Sequence, residues 1–169
     1  MGSRHPATSL SDLTVPIEDL ARLDLPVDDI VITENEVNGL ALRARPGTLV
    51  VFGQGYALER LGEVAWLARR RLFYWGDIDT HGFAILDRFR ARFPAAESLM
   101  MDRATLLAHR RLWVEEPGPS TELLSRLTPE EITLLGELRR GVHGQRVRLE
   151  QERIGFQWVR HAVDTLRSS

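Results

Sequence analysis

The middle of the chain alternates short apolar runs with longer amphipathic ones, the pattern of a parallel α/β sheet rather than of an all-helical or all-β domain. Four runs predict strands: Asp29-Ile30-Val31-Ile32-Thr33, Thr48-Leu49-Val50-Val51-Phe52 after a Pro46-Gly47 turn, Leu72-Phe73-Tyr74-Trp75, and Ser98-Leu99-Met100-Met101. Between them, Glu36 to Arg43, Ala57 to Arg70, Gly82 to Phe93 and Thr105 to Leu112 carry apolar residues at helical spacing, as in Phe83, Ile85, Leu86 and Phe89, and predict crossover helices. Leu13 to Leu25 predicts a short edge strand and a helix. After the Pro117-Gly118-Pro119-Ser120 loop, Thr128 at the N-cap, Pro129 at N1 and two first-turn acids predict a helix to Arg140 that stops at Gly141. A last long helix is expected from about Val147 to Leu166. The expected fold is thus a mainly parallel sheet of about four strands, flanked by helices and extended by further helices at the C-terminus.

With 169 residues, 43% of them hydrophobic, one sizeable core and one active centre are expected. Met1-Gly2-Ser3 reads as a cloning remnant or a truncated start. Residues 1–10 are expected to be disordered, with the domain proper at 11–169. Each apolar run is broken too early to span a bilayer, and no leader pattern is seen, so the cytoplasm is the expected location.

Charge narrows the chemistry. All 22 basic residues are Arg, which removes Schiff-base chemistry, a P-loop lysine and lysine adenylation but leaves guanidinium groups as bidentate phosphate clamps. With no Cys, thiol nucleophiles and Cys-ligated zinc are excluded. The formal net charge of −2 provides no global cationic field, so contact with nucleic acid has to be local.

The strongest local signal is Trp75-Gly76-Asp77-Ile78-Asp79-Thr80-His81-Gly82, an apolar strand ending in two carboxylates before a helix. The first predicted strand ends in the same way, in Thr33-Glu34-Asn35-Glu36. In a parallel sheet the carboxyl ends of strands open onto the ligand crevice. Clustered carboxylates there repel one another unless a cation compensates, and a hard oxygen-seeking ion such as Mg²⁺ would do so. The competing reading is structural: an Asp before a helix is an N-cap, and a Glu at a strand end faces solvent.

Ile30 to Glu36 followed by Asp77-Ile78-Asp79-Thr80-His81-Gly82 resembles the Toprim signature of type IA and type II topoisomerases, bacterial primases and the topoisomerase VI A subunit. Closer still, four blocks in order resemble the C-terminal region of JetD, the nuclease component of the Wadjet anti-plasmid system: Thr33-Glu34-Asn35-Glu36, Tyr74 to Gly82, Met101-Asp102-Arg103-Ala104-Thr105-Leu106, and Arg148-Leu149-Glu150-Gln151-Glu152-Arg153. The resemblance runs from about Leu10 to the C-terminus. It implies a Toprim, Rossmann-like fold in which Glu34, Asp77 and Asp79 are catalytic and hold one or two Mg²⁺ ions, with Mn²⁺ able to substitute. Glu36 is implied as an extra ligand or general base. Asn35, His81, Arg148, Glu150, His109 and Arg110 are candidates for DNA contact or for supporting the site. For Arg148 and Glu152 the competing reading is an i,i+4 ion pair on a solvated helix face.

The implied activity is endonucleolytic hydrolysis of plasmid DNA by metal-activated water. Implied partners are duplex DNA, the subunits of an SMC-like complex and a second copy of the chain, with no membrane; the family's N-terminal DNA-binding segments lie outside this sequence. Tyr56 and Tyr74 read as loop and packing residues rather than nucleophiles, because neither has a base beside it. Arg69-Arg70-Arg71 reads as a solvated turn. Alternatives are a non-catalytic DNA- or partner-binding module and a topoisomerase-like transesterase using a tyrosine from another domain. A haloacid-dehalogenase-type phosphatase fits poorly, since its motif places Thr two residues after the second Asp and needs a lysine. A glycosyltransferase would use Asp-x-Asp but leaves Glu34 unexplained.

Overall fold

The computed structural model describes residues 14–35, 47–53 and 56–165. Helix α1 (Ile17–Leu23) leads into strand β1 (Asp29–Thr33), followed by β2 (Thr48–Phe52), a short helix α2 (Tyr56–Arg60), β3 (Arg71–Trp75), α3 (Thr80–Arg92), β4 (Glu97–Ser98) and α4 (Arg103–Ala108). The chain continues through β5 (Val114–Glu115), α5 (Pro129–Arg140), β6 (Val147–Arg148) and α6 (Phe156–Thr165). Strands β2, β1, β3 and β4 form, in that order, one sheet in which every pairing is parallel. The expected α/β architecture is therefore present, with β5 and β6 pairing antiparallel as a separate ribbon.

Burial follows sheet position. All five residues of the central strand β1 are buried, as a strand covered on both faces requires, whereas β2 at the edge is only half-buried. The core gathers Ile30, Val31 and Ile32 with Phe73, Tyr74 and Trp75 of β3 and Phe83, Leu86 and Phe89 of α3. Helix α3 is also clamped from its far side. The buried Arg90 guanidinium meets Glu131 of α5 at 2.5 and 3.0 Å, and Ser98 Oγ donates to the same carboxylate at 2.7 Å. Burial alone would push the Glu131 carboxyl up, but Arg90, Ser98 and the Thr128 N–H outweigh it and hold it below the usual range.

Helix α5 begins and ends where its caps predict. Thr128 and Glu131 form a capping box, Pro129 opens the first turn, and Gly141 adopts the left-handed conformation at φ 68°. Several other boundaries differ from the pattern. The segment from Ala57 to Arg70 is not one helix, because α2 gives way to two 3₁₀ turns, Leu61–Glu63 and Ala65–Arg69. Gly62 sits against the Arg92 side chain, and the Trp66 indole N–H donates to the Leu20 carbonyl at 2.9 Å, so packing against α1 and α3 replaces helical continuity. The fourth strand ends early because Met100 turns into the left-handed region at φ 56°. Helix α4 starts at Arg103, capped by Asp102, and gives way to a 3₁₀ turn at Arg110–Leu112.

The largest correction concerns the expected helix from Val147. Arg146 at φ 53° redirects the chain, and Val147 to Glu150 runs extended, with Val147 and Leu149 buried and Arg148 and Glu150 half-exposed, before a 3₁₀ turn at Gln151–Arg153. Helix begins only at Phe156, so Arg148 and Glu152 form no i,i+4 helical pair. Arg69 to Arg71 is largely solvated as expected, with Arg69 and Arg70 pairing with Asp24 at the surface, but it is not a turn throughout: Arg69 ends a 3₁₀ turn and Arg71 opens β3 and pairs with the buried Asp29 at 2.7 Å. The predicted helix from Glu36 and residues 1–13 lie outside the described residues, and the described part of 14–25 contains a helix without a strand. Among the described residues, no helix is long and apolar enough to cross a membrane.

Candidate metal and nucleic-acid site

Strand order 2-1-3-4 reverses direction between β1 and β3, and this switch point is where an open α/β sheet leaves a crevice at its carboxyl edge. The register pairs Thr33 with Trp75, so Glu34 and Gly76-Asp77 leave the sheet side by side at that point. Glycine is required twice here. A Cβ on Gly76 would run into the Tyr74 hydroxyl and ring, and one on Gly82 would land on the Asp77 carbonyl oxygen. The second contact lets the first turn of α3 fold back onto the strand end and brings Asp77 and Asp79 to the same mouth.

A cavity of about 370 Å³ opens there, lined among others by Glu34, Asn35, Asp77, Asp79, His81 and Arg148. Each aspartate is tied by one oxygen to the backbone. Asp79 Oδ1 accepts from Gly82 N at 2.6 Å as the N-cap of α3, and Asp77 Oδ1 accepts from Gln151 N at 2.8 Å. The other oxygens turn to a single cation, with Arg148 Nε at 3.2 Å from both Asp77 Oδ2 and Asp79 Oδ2 and Nη2 at 2.5 Å from Asp77 Oδ2. The structural reading of Asp79 holds, since one oxygen caps the helix, and the other meets Arg148 at the cavity wall.

Glu34 is oriented by Tyr74, whose hydroxyl donates to Glu34 Oε1 at 2.8 Å. Tyr74 thus does more than pack. Its ring lies fully buried against Phe89, and its phenol, shut away from water beside Glu34, titrates well above the usual value. Burial likewise raises the Glu34 carboxyl, a rise opposed by the Tyr74 bond and helped by nearby Asp77. Asp79 is pushed up to about 6, chiefly by burial, with Glu116 and Asp77 adding to the rise and the Gly82 N–H and Arg148 opposing it. Burial works against the Arg148 charge, but Asp77, Asp79 and Glu150 outweigh it and raise its pKa.

The remaining candidates divide. Asn35 lines the cavity and donates to Glu152 at 3.2 Å, and His81 lines it with Nε2 held 2.8 Å from the Gly118 carbonyl. Glu150 pairs with Arg153 at 2.6 Å and stands 3.8 Å from Arg148. His109 and Arg110 do not line this cavity; His109 bonds the Thr105 carbonyl and meets the Trp158 ring edge-on, and Arg110 lies over Trp113. Glu36 lies outside the described residues.

Three participants escaped the sequence reading. Buried Glu116 accepts from Thr80 N, Thr80 Oγ1 and His81 N at 3.0, 2.6 and 3.3 Å, fastening the loop after β5 to the start of α3. Gln151 ties Asp77 to β1, its side chain hydrogen-bonded to Thr33 at 3.0 Å. The third is the Tyr74 hydroxyl. The one sequence signal for any of this is the alternation from Val147 to Glu150, which marks an extended segment whose backbone can bond sideways.

The donor chemistry suits a hard divalent cation, since Glu34, Asp77 and Asp79 offer oxygen and nothing softer. Among the described residues no three His, Asp or Glu side chains stand close enough to enclose an ion, and Arg148 lies between the two aspartates.

A parallel α/β domain with acids at its switch point, in a mainly polar crevice, belongs to the class of folds consistent with Toprim and other Rossmann-like sheets. Within that class the family model for the C-terminal part of the Wadjet protein JetD matches residues 1–163, and the chain belongs to that family. No curated protein matches the chain.

Proposed function

We propose that this domain is a Mg²⁺-dependent DNA endonuclease that hydrolyses the phosphodiester backbone of plasmid DNA within a Wadjet assembly. The observation that carries the reading is the convergence of two strand ends, at the sheet's switch point, on one cavity with Glu34, Asp77 and Asp79 on its wall. Family membership supports the setting, since Wadjet is the system to which the matched family belongs.

Glu34, Asp77 and Asp79 would hold one or two Mg²⁺ ions, which when bound supply Lewis acidity toward a phosphoryl oxygen and a water of lowered pKa. The chain's own residues do the rest. Tyr74 fixes the Glu34 carboxylate, the Gly82 and Gln151 amides fix the aspartates, and Glu116 fixes the helix that carries Asp79. Asn35, His81 and Arg148, which line the cavity, would meet phosphate oxygens, Arg148 through its guanidinium fork. With a formal net charge of −2, DNA affinity rests on such local contacts and on the partner subunits of the complex.

The test is plasmid nicking in Mg²⁺ or Mn²⁺ by the wild type, Asp77→Asn and Glu34→Gln, with calorimetric titration of the same ions into the same samples. Nicking and metal binding in the wild type, both lost in folded variants, are expected. Full activity in both variants would sink the assignment.

A further inference from the structure

We propose that Arg148 is a resident counter-ion that a divalent cation must displace from Asp77 and Asp79, so that metal loading is an exchange rather than the filling of a vacant site. This rests on the nuclease reading of the cavity.

The argument begins with how the aspartates are held. In each, Oδ1 is bonded to a backbone N–H that cannot leave without breaking local structure, Gly82 N for Asp79 and Gln151 N for Asp77. In each, Oδ2 is given to the same guanidinium. The Oδ2 atoms are the donors a metal would need, and a cation cannot share them with a guanidinium at hydrogen-bond distance, because the two positive charges would lie within a few ångström of each other.

The Arg148 backbone is anchored on both sides. Its residue pairs with Val114 across β5 and β6, and the next residue, Leu149, exchanges two backbone hydrogen bonds with Ile78 at 2.9 and 3.1 Å. Displacement therefore moves only the side chain. The side chain is 27% exposed on the cavity wall, and Glu150 Oε1, 3.8 Å from Nη2, offers the nearest alternative partner. An arginine released in this way stays at the mouth of the loaded site, where its fork can take a phosphate. Exchange keeps a positive charge between the two aspartates before loading and delivers a phosphate clamp on loading.

The experiment titrates Mn²⁺ and Mg²⁺ into the wild-type chain, Arg148→Met, Arg148→Lys and Asp77→Asn by calorimetry. In parallel, the Arg148 Nε–H resonance of the wild type is followed by NMR. Exchange predicts that Arg148→Met binds Mn²⁺ more tightly by about tenfold or more, the scale of one charge-assisted pair, with Arg148→Lys in between. It also predicts that Mg²⁺ shifts the Nε–H resonance and speeds its exchange with water in the wild type but not in Asp77→Asn. Metal binding by the wild type with no gain in Arg148→Met would overturn the exchange and leave the metal reading standing. If Arg148→Met does not fold, an unmoved Nε–H resonance at saturating Mg²⁺ overturns it equally. No metal binding by wild type and Arg148→Met alike would overturn both.

Discussion

Replacing Tyr74 by Phe removes one oxygen atom from the middle of the molecule and keeps everything else. The ring is fully buried in the core and its shape is retained, so no cavity term arises; what disappears is the 2.8 Å bond from the phenol to Glu34 Oε1. A hydrogen bond to an ionised acceptor contributes about 1.5–3 kcal/mol, and a neutral one about 0.5–1.5 kcal/mol. At pH 8 the first figure applies, which for a chain of this size lowers the melting temperature by roughly 3–12 °C. The pH dependence has a definite sign. Glu34 is held above its ordinary value, so the folded state prefers its protonated form. That contribution is fully present below the unfolded carboxyl's pKa and is lost as pH rises through the folded one. The Tyr74 bond favours the ionised form, and without it the Glu34 carboxyl moves further up. The deficit of Tyr74→Phe therefore grows with pH, from the neutral-bond figure near pH 4 to the charged-bond figure near pH 8. Urea denaturation in EDTA, followed by tryptophan fluorescence at both pH values, measures it. An equal deficit at both, or a larger one in acid, would refute the account of Glu34 as a carboxylate that Tyr74 keeps ionised.

Two further outcomes follow from the same geometry. Because Asp79 is pushed up to about 6, its contribution is fully present below the ordinary aspartate pKa and is lost as pH rises through about 6. Asp79→Asn in EDTA should accordingly be no less stable than the wild type at pH 8, with its relative advantage shrinking toward pH 4 in a melting series; a large loss at pH 8 would show that the ionised form is favoured. Breaking the buried Arg90–Glu131 pair by Arg90→Met or Glu131→Met should cost about 3–5 kcal/mol in either single variant, because each leaves a buried charge without its counter-ion. The double variant should cost well below their sum, and additive free energies in the denaturation cycle would refute the clamp.

Elements with strong local causes were legible along the chain. Strands β1 to β3 read directly from apolar runs, and α5 from a cap, a proline and a glycine that act on their immediate neighbours. The candidate acids were legible because carboxylates at the end of an apolar strand are costly unless something compensates them. What misled was periodicity without its packing partner. Val147 to Glu150 alternates as a strand does but runs without a break into the charged helical pattern that follows, and only the pairing with Val114 and Ile78 makes it extended. That error hid the route by which Arg148 and Gln151 reach Asp77, 71 and 74 residues away.

The sequence by itself determined the type of sheet, the strand-end acids and the classes of chemistry that an arginine-only, cysteine-free chain can perform, since these depend on residue type and on spacing within a few turns. The tertiary structure decided that Glu34 and the aspartates flank the switch point of the strand order. It also decided that Tyr74, Glu116 and Gln151 hold them, and that Arg148 bridges the two aspartates. Those are contacts between distant segments, set by sheet order and side-chain packing, and no local pattern encodes which strand lies beside which.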